Sequence, residues 1–341
     1  MKKLLVKNIG LLATPEGRSA HCGEEQGRIK FLKDAWVLME DGVIASVGSG
    51  AVPAAEGAEI VDAGGNLVTP GLVDAHTHLI FGGWRQNELG LKLHGASYLD
   101  IQNAGGGIQS TTNATRRATE QELADKAEKA LNEMLRFGST TVEAKSGYGL
   151  ATEHELKALQ VIKDLDERHP IDLVATFMGA HLVPAEYKAN REEYVRLVCE
   201  EMIPRVKEQG IAKFCDVFCE ADTFTVEESR QVLEAGLKYG LRPKIHADEI
   251  EAIGGSQLAG EIGAISAEHL IVCPPEGIES MAKGGVIACL LPATSFNLGA
   301  VFAPARAMVS AGVPVAMATD FNPGSCPCLN MQFVINLGCL K

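Results

Sequence analysis

The chain has 341 residues, with 31 Lys and Arg against 44 Asp and Glu for a formal net charge of −13, and it is 46% hydrophobic with 36 Gly and two Trp. That length suits one large α/β domain or two ordinary ones. The acidic balance, with no block of Lys or Arg anywhere, argues against a nucleic-acid backbone or an anionic membrane as partner, so an anionic ligand would need a local Arg to hold it.

No run of 18 apolar residues occurs, and the first nine residues lack a signal-peptide core. Nine Cys are scattered without repeated C-x-x-C pairs, so the expectation is a soluble cytoplasmic enzyme with reduced thiols. Residues 1–66 read as a small, sandwich-like β-sheet domain, because 4–9, 35–39, 43–47 and 58–61 are short strand-like runs separated by Gly, Asp and Glu. Asp41-Gly42 is the strongest hairpin signal among them.

From residue 67 the pattern changes to apolar runs alternating with helical stretches, the signature of β/α units and a parallel sheet. Eight such runs are present, at 72–78, 140–145, 172–181, 214–219, 243–247, 264–269, 285–291 and 313–320. Eight strands close a (β/α)₈ TIM-type barrel, so 67–341 is expected to be one. Thr119-x-x-Glu122, Thr152-x-x-Glu155 and Thr225-x-x-Glu228 each fit a capping box at a helix start. Leu123, Ala127, Ala130, Leu131, Met134 and Leu135 give the first of these helices one apolar face, which Gly138 ends.

The connection after the first barrel strand, 79–118, contains Gly105-Gly106-Gly107 and is long for a compact barrel, which points to function. Residues 328–340 read as the start of an eighth helix that then stops. The expectation is therefore a barrel truncated in its eighth helix, with further strands of the small β domain missing at the C-terminus.

Active sites of such barrels lie at the C-terminal ends of the strands. Strand one ends in His76-Thr77-His78, and strand alternation puts both imidazoles on one face, where both can reach one metal ion. Strand two ends near Glu143, Lys145 and Tyr148, strand three at His181, strand five at His246 with Asp248 and Glu249 following, strand six at His269 and strand eight at Asp320. A lone strand-end His is often a hydrogen-bonded rim residue, and H-x-H occurs by chance; with His246 and Asp320 on the right strands, the set reads as a metal site. His21, His94, His154 and His169 read as solvated, and Cys215, Cys219, Cys326 and Cys328 read as packing thiols.

The run Val68-Thr-Pro-Gly-Leu-Val-Asp-Ala-His-Thr-His78, with His on strands five and six and Asp on strand eight, resembles the amidohydrolase superfamily. His76-Thr-His-Leu-Ile-Phe-Gly-Gly-Trp-Arg85, Ala144-Lys-Ser-Gly-Tyr-Gly149, Phe177-Met-Gly-Ala-His181, His246-Ala-Asp-Glu249 and Thr319-Asp-Phe-Asn-Pro-Gly-Ser325 are similar to the imidazolonepropionase family within it. That resemblance covers essentially the whole chain. It implies hydrolysis of the ring amide of 4-imidazolone-5-propanoate to N-formimidoyl-L-glutamate, in histidine degradation, with one Zn or Fe ion per subunit.

Residue by residue, the resemblance makes His76, His78, His246 and Asp320 the metal ligands. Such a set leaves a position for water, whose pKa the metal lowers towards roughly 7. Glu249 is placed to exchange protons with that water and the ring nitrogen, Asp320 to ligate and accept a proton, and His269 to act as an electrophile or relay. The resemblance further implies that Arg85, Tyr148 and His181 hold the substrate and that Asn322, Gly324 and Ser325 contact the product. A guanidinium grips a propanoate carboxylate in bidentate fashion, which supplies the local cation that the acidic whole requires. Tyr98, in the long first loop, is a weaker candidate for closing over the ring.

Two-metal members of the superfamily carry a Lys at the end of strand four, whereas here it ends Val217-Phe-Cys-Glu220, so a single metal is expected and Lys145 is assigned a structural ion pair. A single-metal deaminase of the cytosine or guanine type is the nearest alternative, since His246-x-x-Glu249 also serves attack on a ring carbon that bears an amine. A silent scaffold is the other alternative, although it would be expected to have lost ligands. The superfamily often dimerises, so a homodimer is included among the expectations.

Overall fold

Short apolar runs separated by turn residues form one five-stranded sheet in the first unit of the chain. β1 (Lys3–Pro15) pairs antiparallel with β2 (Ile29–Glu40), and β2 with β3 (Val43–Ser49). β4 (Glu59–Asp62) and β5 (Leu67–Val68) add to β1 in parallel. The β2–β3 turn is Asp41-Gly42, both at positive φ of 49° and 81°, the backbone that a two-residue hairpin matched to strand twist requires. Ile9, Leu12, Ala35 and Val37 are its buried centre.

The computed structural model describes residues 2–17, 19–95 and 106–341, and these fall into two units, Met1–Gly71 and Leu72–Lys341. The first unit runs past the boundary near residue 66 read from the sequence, because Leu67–Val68 is hydrogen-bonded to β1.

The second unit is an eight-stranded parallel sheet in strict chain order. Its strands are β6 (Leu72–Asp74), β7 (Ser139–Lys145), β8 (Asp172–Ala180), β9 (Phe214–Cys219), β10 (Arg242–Ala247), β11 (Ser266–His269), β12 (Ile287–Leu290) and β13 (Val315–Met317). Each overlaps one of the eight apolar runs. Strands covered on both sides have no solvated face, so they read as nearly continuous apolar stretches. The barrel closes beyond the ends of β6 and β13: Thr77 bridges Phe321, the His78 N–H donates to the Phe321 carbonyl at 2.8 Å, and the Asp320 N–H donates to the His76 carbonyl at 3.0 Å. Buried Asp74 ties the same seam, accepting from the Thr319 N–H and hydroxyl at 3.0 and 2.6 Å.

The long connection after β6 carries α1 (Glu88–Leu93) and α2 (Gly107–Arg117). Tyr98 and Gly105 lie outside the described residues. Barrel helices α3 (Glu120–Arg136), α4 (Thr152–Arg168), α5 (Arg191–Leu197), α6 (Ile203–Gln209), α7 (Val226–Lys238), α8 (Gly255–Glu261) and α9 (Pro275–Gly284) follow. α10 (Pro292–Leu298), α11 (Ala305–Ser310) and α12 (Met331–Leu340) complete the set. On α3, Leu123, Ala127, Ala130, Leu131 and Met134 are buried and Gly138 stands at φ +92°.

Two of the three capping boxes form, at Thr119 and Thr225. The third does not. Ala151 is the residue before α4, and the Glu155 carboxylate serves the preceding loop instead. The eighth helix read in 328–340 is α12, capped by the Asn330 side chain and burying Met331, Val334 and Leu337. His169 corrects another expectation: it is buried, and its Nδ1 accepts the Ile171 N–H at 3.1 Å. Among the described residues no helix is long and apolar enough to cross a membrane.

Candidate active site

The strand ends bring together at the barrel mouth five side chains of types able to ligate a metal. Ligand atoms of His76, His246 and His269 lie within 4.8 Å of one another, as do those of His76, His78 and Asp320. The two sets share His76, and His78 Nε2 is 3.3 Å from His246 Nε2, which joins them into one cluster. Asp320 Oδ1 stands 3.5 Å from His76 Nε2 and 3.6 Å from His78 Nε2. His269 and Asp320 both adopt left-handed backbone, at φ +68° and +53°. Such strain concentrates at functional sites where the surroundings over-determine it.

Two of the inward-facing imidazoles, His76 and His246, are each oriented by a carboxylate behind the ring. His76 Nδ1 donates to Glu268 Oε2 at 2.6 Å, and His246 Nδ1 donates to Asp216 Oδ1 at 3.0 Å. Both bonds place the proton on Nδ1 and leave the Nε2 lone pair facing the cluster. Lys145, fully buried, bridges Asp216 at 2.7 Å and Glu143 at 2.8 Å, which is the structural ion pair read from the sequence. Burial disfavours its charge, but Asp216 and Glu143 hold it protonated. Lys244 stands 3.0 Å from Glu268, and burial of that carboxyl is outweighed by Lys244 and Lys145, which keep it ionised.

The cluster fits a metal ion. Burial pushes His76, His78 and His246 well below the ordinary imidazole range, so they stay neutral and their lone pairs remain free to ligate. His76 Nε2 and Asp320 Oδ1 are buried without a hydrogen-bond partner among the described residues, an arrangement that is costly unless another group satisfies them. Asp320 Oδ2 accepts from the Thr294 hydroxyl at 2.7 Å, which fixes the other oxygen towards the histidines. Burial also raises Asp320 to about 7 and Glu249 to about 8. Glu249 Oε1 is 3.6 Å from His269 Nδ1.

Beside the cluster, His181 stacks on His78 with ring centres 4.9 Å apart, and Tyr148 lies 5.0 Å from His181. His181 Nδ1 donates to the Gly147 carbonyl at 2.8 Å, and burial lowers the imidazole to about 4. The loop that carries Tyr148 is held from both sides. Glu155 accepts the N–H groups of Gly147, Gly149 and Leu150 at 2.9, 2.7 and 2.8 Å, while Arg116 donates to the Gly149 and Leu150 carbonyls at 2.7 and 3.0 Å.

Arg85 is 8% exposed; Glu88 Oε1 stands 3.9 Å from its Nε as an ion pair, and neither Nε nor Nη1 makes a hydrogen bond among the described residues. A buried guanidinium with open donors suits a carboxylate. Its backbone N–H donates to the Pro323 carbonyl at 2.9 Å, and a Cβ on Gly324 would stand 1.7 Å from its Nη2. Gly324 therefore makes room for the guanidinium. Asn322 builds this turn: its Oδ1 accepts the N–H groups of Gly324 and Ser325 at 2.9 and 2.7 Å, and its Nδ2 donates to the Asp320 carbonyl and the Ser325 hydroxyl at 2.8 and 2.9 Å.

Twelve of the thirteen candidate residues read from the sequence thus fall at the mouth of one barrel or on the turns bordering it, and the thirteenth, Tyr98, lies outside the described residues. Sequence reasoning missed Glu268, Asp216 and Lys244, and it read Glu155 as a helix cap rather than as the acceptor of the Gly147, Gly149 and Leu150 amides. The available signal was a charged residue inside an otherwise apolar strand run, as in Phe214-Cys-Asp-Val-Phe-Cys219 and Ser266-Ala-Glu-His269.

The model of the amidohydrolase family matches residues 67–337. Over its whole length the chain is 51% identical to an imidazolonepropionase from Alkaliphilus metalliredigens and 50% identical to one from a Geobacillus species, spanning 82% of each. An imidazolonepropionase from Fusobacterium nucleatum is 50% identical over 98% of this chain and 81% of its own length. Among solved structures, a guanine deaminase from C. acetobutylicum aligns with TM-score 0.72 at 18% identity, covering 98% of this chain and 78% of that one. An atrazine chlorohydrolase from Arthrobacter aurescens aligns with TM-score 0.68 at 17% identity, over 96% and 74% of the two chains. At these identities the solved structures speak for the fold alone.

Proposed function

The chain belongs to the imidazolonepropionase family of amidohydrolases, and from that premise we infer that it hydrolyses the ring amide of 4-imidazolone-5-propanoate to N-formimidoyl-L-glutamate. The observation that carries the reading is the buried Arg85, whose Nε and Nη1 make no hydrogen bond among the described residues, together with the cluster of His76, His78, His246 and Asp320. A carboxylate on the ring substituent answers that guanidinium. A plain nucleobase has no such group.

A single Zn or Fe ion fits three imidazoles and one carboxylate. When bound by His76, His78, His246 and Asp320, it supplies a water acidic enough to attack an amide at neutral pH. Glu249 takes the proton of the attacking water and hands it to the ring nitrogen as the carbon–nitrogen bond breaks. Burial, helped by the negative charges of Asp320 and Glu220, raises its affinity for that proton. His269, within 3.6 Å of Glu249, steadies the developing oxyanion or relays the proton. Arg85 binds the propanoate, and Tyr148 and His181 form the wall against which the ring rests. Gly324 and Ser325 border the carboxylate end through the turn that Asn322 organises. The acidic balance and the absence of a long apolar run support a cytoplasmic enzyme acting on a small molecule.

The test is turnover of enzymatically generated imidazolone propanoate by metal-reconstituted protein, with the product identified by mass spectrometry and His246→Ala as control. Formimidoyl glutamate formed only with His246 intact is the expected result. Ammonia release from a nucleobase, with no turnover of the imidazolone by folded and metal-loaded protein, would replace this reading with a deaminase.

A further inference from the structure

Glu220 follows β9 on the neighbouring strand to His246, and it is only 2% exposed. Among the described residues no lysine or arginine forms an ion pair with it; the structure instead gives it backbone amides. Its Oε2 accepts the Ile250 N–H at 2.9 Å, and its Oε1 accepts the Glu251 N–H at 3.1 Å and the Ala221 N–H at 3.0 Å. Ile250 and Glu251 directly follow Glu249 in the chain. On the other side of Glu249, Asp248 turns through left-handed backbone at φ +51°, and its carbonyl accepts the Val272 N–H at 2.9 Å. The peptide carrying Glu249 is therefore pinned immediately before and immediately after that residue. Glu220 is itself anchored, since its N–H donates to the Phe224 carbonyl at 3.1 Å and its carbonyl accepts the Thr223 N–H at 3.0 Å.

From this geometry we propose that Glu220 is a positioning residue for Glu249: its carboxylate fixes the amides of Ile250 and Glu251 and so sets where the Glu249 carboxylate stands relative to His269 and the metal ligands. A carboxylate that spends both oxygens on the backbone just beyond a proton carrier restricts the arc through which that carrier moves. Misplacement by about 1 Å costs on the order of 100-fold in rate. The proposal rests on the reading of Glu249 as the proton carrier.

The test is a cycle of Glu220→Gln and Glu249→Gln, singly and together, in metal-loaded enzyme. An amide at position 220 keeps the shape but offers only one acceptor oxygen to the amides it faces. Glu220→Gln alone should lower kcat about 10- to 100-fold, with KM within about twofold and metal content unchanged. In the Glu249→Gln background the same change should cost less than about twofold, because groups that act as a unit are not additive. Equal losses in the two backgrounds would show a general structural role and overturn the proposal while leaving Glu249 in place. A Glu249→Gln enzyme as fast as the original would overturn the reading of Glu249 itself and the proposal with it. Amide exchange of the unmodified holoenzyme gives a measurement that does not depend on variants folding. The Ile250 and Glu251 amides should be strongly protected, and exchange at the rate of an open loop would end the argument.

Discussion

His76 Nδ1 and Glu268 Oε2 lie 2.6 Å apart although 192 residues separate them in the chain. That bond makes the first-strand histidine present Nε2 to the site, and it is made by a fully buried carboxylate from the sixth barrel strand. His246 and Asp216 repeat the relationship at 3.0 Å. Both carboxylates are backed in turn by buried lysines, Lys244 and Lys145. The site is thus a ring of histidines standing on a buried layer of ion pairs.

Loss of that layer should appear first in metal affinity. Glu268→Gln removes the charge that polarises His76 and leaves Lys244 with one partner fewer, so metal affinity should fall about 10- to 100-fold. Competition with a chelator, read by metal content against chelator concentration, measures this. Unaltered retention would mean that the His76 tautomer is set by something other than Glu268.

Arg85 and Gly324 form a second coupled pair, since a Cβ at position 324 would stand 1.7 Å from Arg85 Nη2. Arg85→Met should cost the carboxylate contact about 2–5 kcal/mol, and kcat/KM should fall at least about 30-fold, mostly through KM. Gly324→Ala should reproduce the KM effect by displacing the guanidinium, with metal content untouched in both variants. A Gly324→Ala enzyme with the original KM would separate the turn from the substrate.

Glu155 accepts three loop amides, and Tyr148 sits among them. Glu155→Ala would leave those amides buried without an acceptor, at about 1–3 kcal/mol for each group left unsatisfied. The melting temperature should fall by several degrees, and KM should rise in the protein that remains folded. Calorimetry and steady-state kinetics on the same preparation check both. A stable variant with an unchanged KM would show that the loop is held by Arg116 alone.

The parts legible in the sequence were those that repeat locally. Eight apolar runs are eight strands because both faces of a barrel strand are covered, and the capping boxes at Thr119 and Thr225 are contained in four consecutive residues. His76, His246, His269 and Asp320 were visible because they terminate such runs. Glu268 and Asp216 were not assigned roles and Glu155 was read as a helix cap, because each acts on a partner from a different part of the chain or competes for a role that four residues suggest. Thr152-x-x-Glu155 illustrates this: its Glu turns to the Gly147–Leu150 amides, which only the folded loop brings within reach. His169 read as solvated for the same reason, since nothing nearby in sequence announces that it is covered.

His181 supplies a prediction in which the sign is fixed by burial. Its imidazole, taken out of water against His78 and Tyr148, falls from 6.5 to about 4 on folding. Between those two values the unfolded chain binds the proton and the folded one does not, so protonation favours unfolding across that window. The stability linked to His181 is therefore complete above about pH 6.5 and is lost progressively as pH falls towards 4, by at most about 3 kcal/mol. His181→Asn keeps a donor for the Gly147 carbonyl but removes the titrating group. At saturating metal, the melting temperature of the original enzyme should drop more steeply from pH 7 to pH 4.5 than that of the variant, so that the gap between them narrows on acidification. Parallel curves would mean that His181 is as easily protonated in the folded enzyme as in the unfolded chain, and that the wall it forms with Tyr148 is open to water.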